Sequence, residues 1–391
     1  MTISKPDKTL LRNARIVFPE RVAEKADLLV QNGRIAVLSD SISSATALEE
    51  IDLSNCTLFP GFIDAHIHGA VGIDTNEADA AGFSRVSEFL ATQGVTAWLP
   101  TLVPAPEADY QRAITAIEAA MRSTSGARVL GVHYEGPFVN SAQCGALRSQ
   151  YFRSFANHDA LDSLPMLNNS AAVHMMTVAP EIEGGIELAR ELKQRGWIVS
   201  IGHTRAGVEV LDEAFVAGAR HMTHFMNAMP PFHQRAPGPV GWGLLRDEVT
   251  CDVIADGIHL DRQTLKLILK AKGTERVLLI SDAIAAAGLG DGEYQIWGES
   301  ISVKNGRTQN QRGNIAGSVI SVLDAIRTMQ SLGVSECEIA QMASTNPAKL
   351  LDISSDCGSI AVGKRADLVA FNAEKKIVLV MVSGQVMLSA A

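Results

Sequence analysis

The sequence predicts an α/β fold, a (β/α)8 TIM-type barrel with β-rich chain ends. Three observations lead there. Short apolar runs alternate with helix-like stretches from about residue 60 to 355, the pattern of parallel strands joined by crossover helices. Polar residues able to bind metal or move protons end several of those runs. Before and after this region the chain carries short strand-like segments broken by turn signals.

The N-terminal strands are expected at Leu10 to Val17, Asp27 to Gln31 and Arg34 to Leu38, with Asn32-Gly33 as a hairpin turn. The apolar run Leu58 to Ile63 then leads into Asp64-Ala65-His66-Ile67-His68. Helix-like stretches follow at Ala80 to Gln93, Glu107 to Ser123, Gly185 to Arg195, Ala206 to Ala217, Arg262 to Lys272 and Val319 to Leu332. Strand-like runs between them include Val129 to Val132, Trp197 to Gly202, Cys251 to Ala255 and Val277 to Ser281. Closing a barrel takes eight units. About six are clear, so closure is inferred. From Gly358 the pattern returns to strands, at Ala366 to Phe371, Lys376 to Met381 and Gln385 to Met387, with Ser383-Gly384 hairpin-like.

A chain of 391 residues can bury a large core, and 47% hydrophobic with 20% charged residues is a globular composition. A net charge of -9 offers no basic stripe to nucleic acid, although one local arginine could still receive a small anion. The five cysteines are odd in number, scattered and without Cys-x-x-Cys spacing, which reads as reduced thiols in a cytoplasmic protein. Met1 to Lys8 has no apolar stretch, so no secretory signal is expected, and no run is long enough for a membrane span.

Strand residues two apart share a face, so His66 and His68 can leave one strand end toward a single divalent cation. Glu135, His203 and His224 end three later strand-like segments. One carboxylate and two imidazoles make a three-ligand set with a fourth position open to water. His66 and His68 either complete a second metal site or line the barrel mouth. Asp282 ends the most apolar run, where a carboxylate is costly without a partner, and is the candidate general base and acid. His259, in Asp256-Gly257-Ile258-His259, could hydrogen-bond a substrate oxygen. Asn227-Ala228-Met229-Pro230-Pro231 and Arg235 could offer backbone N–H groups and a guanidinium to an anion. Plainer readings exist: His203 at a helix entry, His224 as a satisfied barrel histidine, Asp282 as a helix cap, His259 and Arg235 in solvent. The coincidence of so many at strand ends favours a site, because barrels carry theirs at that face. His133 is assigned to the core or to an outer shell, and His221 is expected to face away from His224.

Taken together, Pro60-Gly61-Phe62-Ile63-Asp64-Ala65-His66-Ile67-His68-Gly69, His133-Tyr134-Glu135-Gly136-Pro137, Gly202-His203-Thr204, Thr223-His224-Phe225-Met226-Asn227-Ala228-Met229-Pro230, Asp256-Gly257-Ile258-His259, Ser281-Asp282-Ala283 and Ile315-Ala316-Gly317-Ser318 resemble the N-acetylglucosamine-6-phosphate deacetylase family of the amidohydrolase superfamily. The resemblance covers almost the whole chain, including Asn346-Pro347-Ala348 and Gly358 to Val369. It implies a barrel at 60–355, with a small β-sandwich domain built from both chain ends at 1–59 and 356–391, and a homodimer. It implies a principal metal, zinc or iron, on Glu135, His203 and His224, with His66 and His68 matching members that bind a second ion. Asp282 matches the catalytic acid/base, His259 a substrate contact, and Asn227, Ala228 and Arg235 the phosphate-binding segment.

One departure stands out. Where the family usually has Gly-Ala-His, this chain has Gly145-Ala146-Leu147-Arg148. Leu147 cannot donate, and losing a charge-assisted contact costs about 1.5–3 kcal/mol. That leaves Arg148 as a substitute, or a substrate that lacks the phosphate or carries it elsewhere. The expected reaction is metal-dependent hydrolysis of the acetamide of N-acetylglucosamine 6-phosphate, giving glucosamine 6-phosphate and acetate. Alternatives are the N-acetylgalactosamine 6-phosphate reaction, an unphosphorylated N-acetyl amino sugar, a cyclic amide, or a metal-binding scaffold without activity.

Overall fold

The computed structural model describes residues 8–44, 49–123 and 125–389. Residues 1–7 and 390–391 of the expected end-built domain lie outside the described residues, as does most of the Met1 to Lys8 segment.

Eight parallel strands succeed one another round a barrel: Phe62–Ile67, Val95–Leu102, Gly131–Glu135, Val173–Val178, Ile198–Ile201, His221–Met222, Thr250–Ile254 and Val277–Ile280. The first and eighth meet through the main chain beyond their C-terminal ends. The Asp282 N–H donates to the His66 carbonyl at 3.0 Å, and the His68 N–H donates to the Ala283 carbonyl at 2.8 Å. The first three strands are buried along their whole length, because helices cover the outside and side chains fill the inside. That two-sided burial is why these strands read as continuous apolar runs.

The outer helices bury one stripe each. Gly185–Gln194 turns Leu188, Ala189 and Leu192 inward. Asp261 caps Arg262–Lys272 by accepting from the Gln263 N–H, and Ser321 with Asp324 forms a capping box that starts the last long helix at Val322. Two units escape the sequence pattern. Gly238–Leu245 is a helix despite three glycines and a proline, and Trp242 anchors it. Between Glu135 and Val173 only short turns and the four-residue helix Asp159–Asp162 stand where a crossover helix is expected.

The chain ends share one eight-stranded sheet, in which Thr57–Pro60 lies between Lys8–Val17 and Leu368–Phe371. A register shift at Asn13, whose φ is +57°, lets Lys8–Val17 pair first with Glu49–Asp52 and then with Thr57–Pro60. Leu11, Leu28, Leu58, Leu368 and Leu379 pack into its core. Both expected hairpin turns form, with Asn32 and Gly33, and Ser383 and Gly384, all at positive φ. An unexpected three-stranded antiparallel sheet, Gly292–Ile296, Glu299–Lys304 and Arg307–Asn310, is inserted after the eighth barrel strand. No helix among the described residues is long and apolar enough to cross a membrane.

Gly61 joins the end-built sheet to the first barrel strand against Thr96. A Cβ at Gly61 would lie 2.3 Å from both Thr96 Oγ1 and Cγ2, and Thr96 is buried. Gly61→Ala should therefore destabilise the fold by about 1–3 kcal/mol in denaturant unfolding. Thr96→Ala in the same chain should recover part of that loss.

Candidate active site

The residues of the barrel mouth are set by backbone conformation as well as by strand order. His203, His224 and Asp282 each lie two residues beyond a strand end, and each has a left-handed backbone, with φ of +47°, +32° and +50°. For a non-glycine residue such a conformation costs on the order of 1–3 kcal/mol and persists only where surrounding contacts enforce it. Here it bends the chain as it leaves the strand and brings side chains from separate strands together over the barrel.

Glu135, His203 and His224 converge. Glu135 Oε1 lies 3.0 Å from His203 Nε2 and 2.9 Å from His224 Nε2, and the two Nε2 atoms are 3.0 Å apart. A second group adjoins it. His66 Nε2 and His68 Nε2 are 3.2 Å apart, each lies 3.2 Å from Asp282 Oδ1, and His68 Nε2 is 3.4 Å from the other Glu135 oxygen. Glu135 thus belongs to both groups of donor atoms.

The donor set fits a divalent cation. A tetrahedral ion with bonds of about 2.0–2.1 Å spaces its ligands roughly 3.3 Å apart, close to these separations. His203 Nδ1 faces the Gln143 carbonyl at 2.7 Å, and His68 Nδ1 faces the Thr101 carbonyl at 3.2 Å. Each Nδ1–H is thereby committed outward and each Nε2 lone pair turned inward, the arrangement that orients a ligating imidazole. Charge points the same way. Burial pushes the Glu135 carboxyl up, but hydrogen bonds from His203 and His224 and the charges of His66 and His203 outweigh it and hold it well below the usual range. Burial likewise raises Asp282, and hydrogen bonds and charges from His66 and His68 reverse the shift. For His224 burial favours the neutral ring, yet Glu135, Asp282 and Asp252 raise it to about 9. Two ionised carboxylates amid buried imidazoles make a site that favours positive charge.

The site opens into a pocket of about 270 Å³ whose wall includes His68, Glu135, His203, His224, Asp282, Asn227, Ala228 and His259. His259 Nδ1 lies 2.7 Å from Asp256 Oδ2, which leaves Nε2 for a substrate. Burial raises the Asp256 carboxyl, and its contacts with His259 and the Ile258 and His259 N–H groups bring it below the usual value.

Other positions differ from expectation. Arg235 is exposed in the segment after Pro230 and does not line the pocket. Arg148 does not replace the histidine expected at Leu147: its guanidinium donates to the Pro104 carbonyl at 3.2 Å and lies over the Tyr151 ring. Leu147 itself lines the pocket and is buried with Val139, Ile284 and Trp297. No lysine or arginine among the described residues lines the pocket. His133 is buried, contacting Thr177 Oγ1 at 2.8 Å with its ring edge-on to His66. Sequence reasoning missed Trp297, which stands edge-on to His68 at 5.3 Å, and Asn314, whose amide donates to the Gly145 carbonyl at 2.8 Å. Both come with the inserted sheet or its return, which no local pattern announced.

Residues 57–387 match the amidohydrolase family. The chain belongs to the amidohydrolase family. Among its relatives within that family is the N-acetylglucosamine-6-phosphate deacetylase of Bacillus subtilis (strain 168), 34% identical over 97% of each chain. Another is the N-acetylgalactosamine-6-phosphate deacetylase of Escherichia coli O157:H7, 34% identical over 96% of this chain and 98% of that one. A solved structure of a Mycobacterium smegmatis N-acetyl-D-glucosamine-6-phosphate deacetylase variant, in complex with N-acetyl-D-glucosamine-6-phosphate, superposes with a TM-score of 0.88. It is 27% identical, and the match spans 98% of this chain and 100% of that one. The family resemblance read from the motifs is borne out, as are the barrel and the sheet built from both ends. This amidohydrolase is a metal-dependent enzyme.

His203→Ala should lower the divalent-metal content of the purified protein, read by elemental analysis, with far-UV circular dichroism unchanged. Dialysis of the unaltered protein against a chelator should abolish hydrolysis, and a divalent metal should restore it.

Proposed function

We propose that this amidohydrolase removes the acetyl group of N-acetylglucosamine 6-phosphate, giving glucosamine 6-phosphate and acetate. The observation that carries the reading is Asp282 set 3.2 Å from two imidazoles, beside the Glu135, His203 and His224 donors, in a pocket sized for a small molecule. The relatives' activities supply the substrate class.

Glu135, His203 and His224 hold the principal ion, assigned as zinc from the mixed carboxylate and imidazole donors, and His66 and His68 are available to a second. A bound divalent ion supplies Lewis acidity toward the amide carbonyl and the attacking water. Asp282, kept ionised, takes a proton from that water at its carboxylate oxygen and returns it to the leaving amine nitrogen. Water's oxygen ends in acetate and its proton on the amine. His259, with Nδ1 held by Asp256, presents Nε2 to the acetamide oxygen of the substrate.

For the phosphate, main-chain N–H groups take the role that side-chain cations do not fill. His224, Met226 and Ala228 have positive φ while Phe225 and Asn227 do not. The Phe225 and Asn227 N–H groups are taken by the Asp252 and His224 carbonyls, which leaves those of Met226 and Ala228 for an anion. Asn227 and Ala228 line the pocket there. Arg235, in the exposed segment beside it, is assigned to the same anion in the homodimer that the family resemblance suggests. A cytoplasmic location accords with five cysteines that form no disulfide.

One specific observation favours a second reading, the galactosamine epimer: relatives of both specificities are 34% identical to this chain. Acetate release from the two epimeric phosphates and their unphosphorylated sugars decides among these. The glucosamine reading requires the highest kcat/KM for N-acetylglucosamine 6-phosphate, and equal rates with and without phosphate would refute the anion site. Asp282→Asn should lower kcat about 10²–10⁴-fold with zinc content unchanged. Undiminished turnover would remove Asp282 from the mechanism.

A further inference from the structure

The ligating imidazoles are not anchored alike. His203 and His68 each commit Nδ1 to a backbone carbonyl. His224 Nδ1 is buried and has no hydrogen-bond partner. Its ring therefore lacks the outer contact that usually orients a metal-binding histidine. Its main chain, by contrast, is gripped. The His224 N–H donates to Asp252 Oδ1. Asp252 Oδ2 lies 3.0 Å from His221 Nε2, and His221 Nδ1 lies 2.8 Å from Thr250 Oγ1. Asp252 and His221 are both 0% exposed, so they form a closed pair inside the barrel.

We propose that Asp252, braced by His221, is a positioning residue that holds His224 in its left-handed backbone conformation and thereby sets the direction of its ring. The argument runs through conformation. At φ +32° a histidine sits where non-glycine residues rarely rest, and it stays only if its surroundings enforce the turn. The sixth barrel strand is only two residues long, His221–Met222. Past it the Thr223 N–H donates to the Ile201 carbonyl at 3.0 Å and the Phe225 N–H to the Asp252 carbonyl at 2.9 Å, and the His224 N–H between them has no main-chain acceptor. Asp252, on the seventh strand, spans the gap with one carboxylate. One oxygen fixes where the chain turns, and the other ties that turn to the strand that precedes it. His221 lies three residues before His224 and braces the ligand through Asp252.

This inference rests on the reading that Glu135, His203 and His224 hold a cation, and its test separates the two. Zinc affinity of the full-length protein is measured by competition with a chromophoric chelator, and the visible spectrum of the cobalt(II)-loaded protein reports ligand geometry. Wild-type protein that bound no zinc would refute the underlying reading. Given tight wild-type binding, Asp252→Ala should weaken zinc about 10–100-fold and alter the cobalt spectrum. Asp252→Asn keeps an acceptor for the His224 N–H and should stay within about threefold of wild type. His221→Leu with Asp252→Val replaces the buried pair by apolar groups, a change that buried ion pairs tolerate, and should show the same zinc loss as Asp252→Ala in a folded protein. Either folded variant that lacks the acceptor, if it bound zinc as wild type with an unchanged cobalt spectrum, would overturn the proposal. So would an Asp252→Asn protein that lost zinc as completely as Asp252→Ala. A lower thermal midpoint with unaltered zinc affinity would mark Asp252 as structural only.

Discussion

The barrel closes through the main chain of its own active site. No regular ladder joins the first strand to the eighth. The seam is carried by the Asp282 N–H on the His66 carbonyl and the His68 N–H on the Ala283 carbonyl. Asp64 adds its buried carboxylate, accepting from the Ser281 N–H at 3.2 Å. These bonds fix the main chains of His66, His68 and Asp282 relative to one another, independently of their side-chain contacts. Fold closure and site assembly are thus one event, and a perturbation that opened the seam would separate the proposed base from the imidazoles that keep it ionised.

A polar layer lies beneath the mouth, where a barrel interior ordinarily holds branched aliphatic side chains. His133 meets Thr177, Thr177 Oγ1 lies 2.7 Å from Thr223 Oγ1, and Thr223 Oγ1 lies 2.5 Å from Ser200 Oγ. Buried hydroxyls are tolerated when they satisfy one another, and here they do so across neighbouring strands. Desolvation in this layer acts in two directions. It holds His133 neutral, well below the usual imidazole range, with His66 adding to the effect, while nearby carboxylates push His224 the other way. The same buried environment therefore yields one uncharged imidazole and one that attracts charge: both feel Glu135, but only His224 hydrogen-bonds it, with Asp282 and Asp252 adding their charge.

Much of this was legible in the sequence because two-sided burial writes strands as apolar runs, and the residue that ends such a run is conspicuous. Glu135, His203, His224 and Asp282 could be found that way, and His66 with His68 by their spacing of two. The sixth strand was harder. Two residues carry no period, so His221–Met222 stood out only as a short run that ends in His224. The helix Gly238–Leu245 hid behind glycine and proline, because burial of Pro239, Val240 and Trp242 overrode propensity. His221 lies inside the barrel, and no local pattern could show that it meets Asp252. Trp297 sits at a turn between two short strands whose alternation is weak, and its role as pocket wall exists only in three dimensions. Arg148 shows the opposite failure. Its position beside Leu147 suggested a stand-in cation, yet the side chain folds back onto Tyr151 and Pro104.

The apolar wall at Leu147 bears on how the site would discriminate. A histidine there would give a point charge to the anion. With Leu147 packed on Trp297 and Ile284, that side of the pocket can contribute only shape and exclusion of water. On the proposed function, recognition would then rest on main-chain N–H groups such as those of Met226 and Ala228, which are fixed partial charges and do not titrate. A dry wall also strengthens them, since an anion meets backbone dipoles more strongly where water is excluded. Phosphate binding organised in this way would depend weakly on pH between the titration of carboxylates and amines on the protein side. It would depend strongly on the left-handed turns at His224, Met226 and Ala228. The segment that points a metal ligand inward would also shape the anion site, so ion binding and substrate binding would draw on a single stretch of constrained backbone.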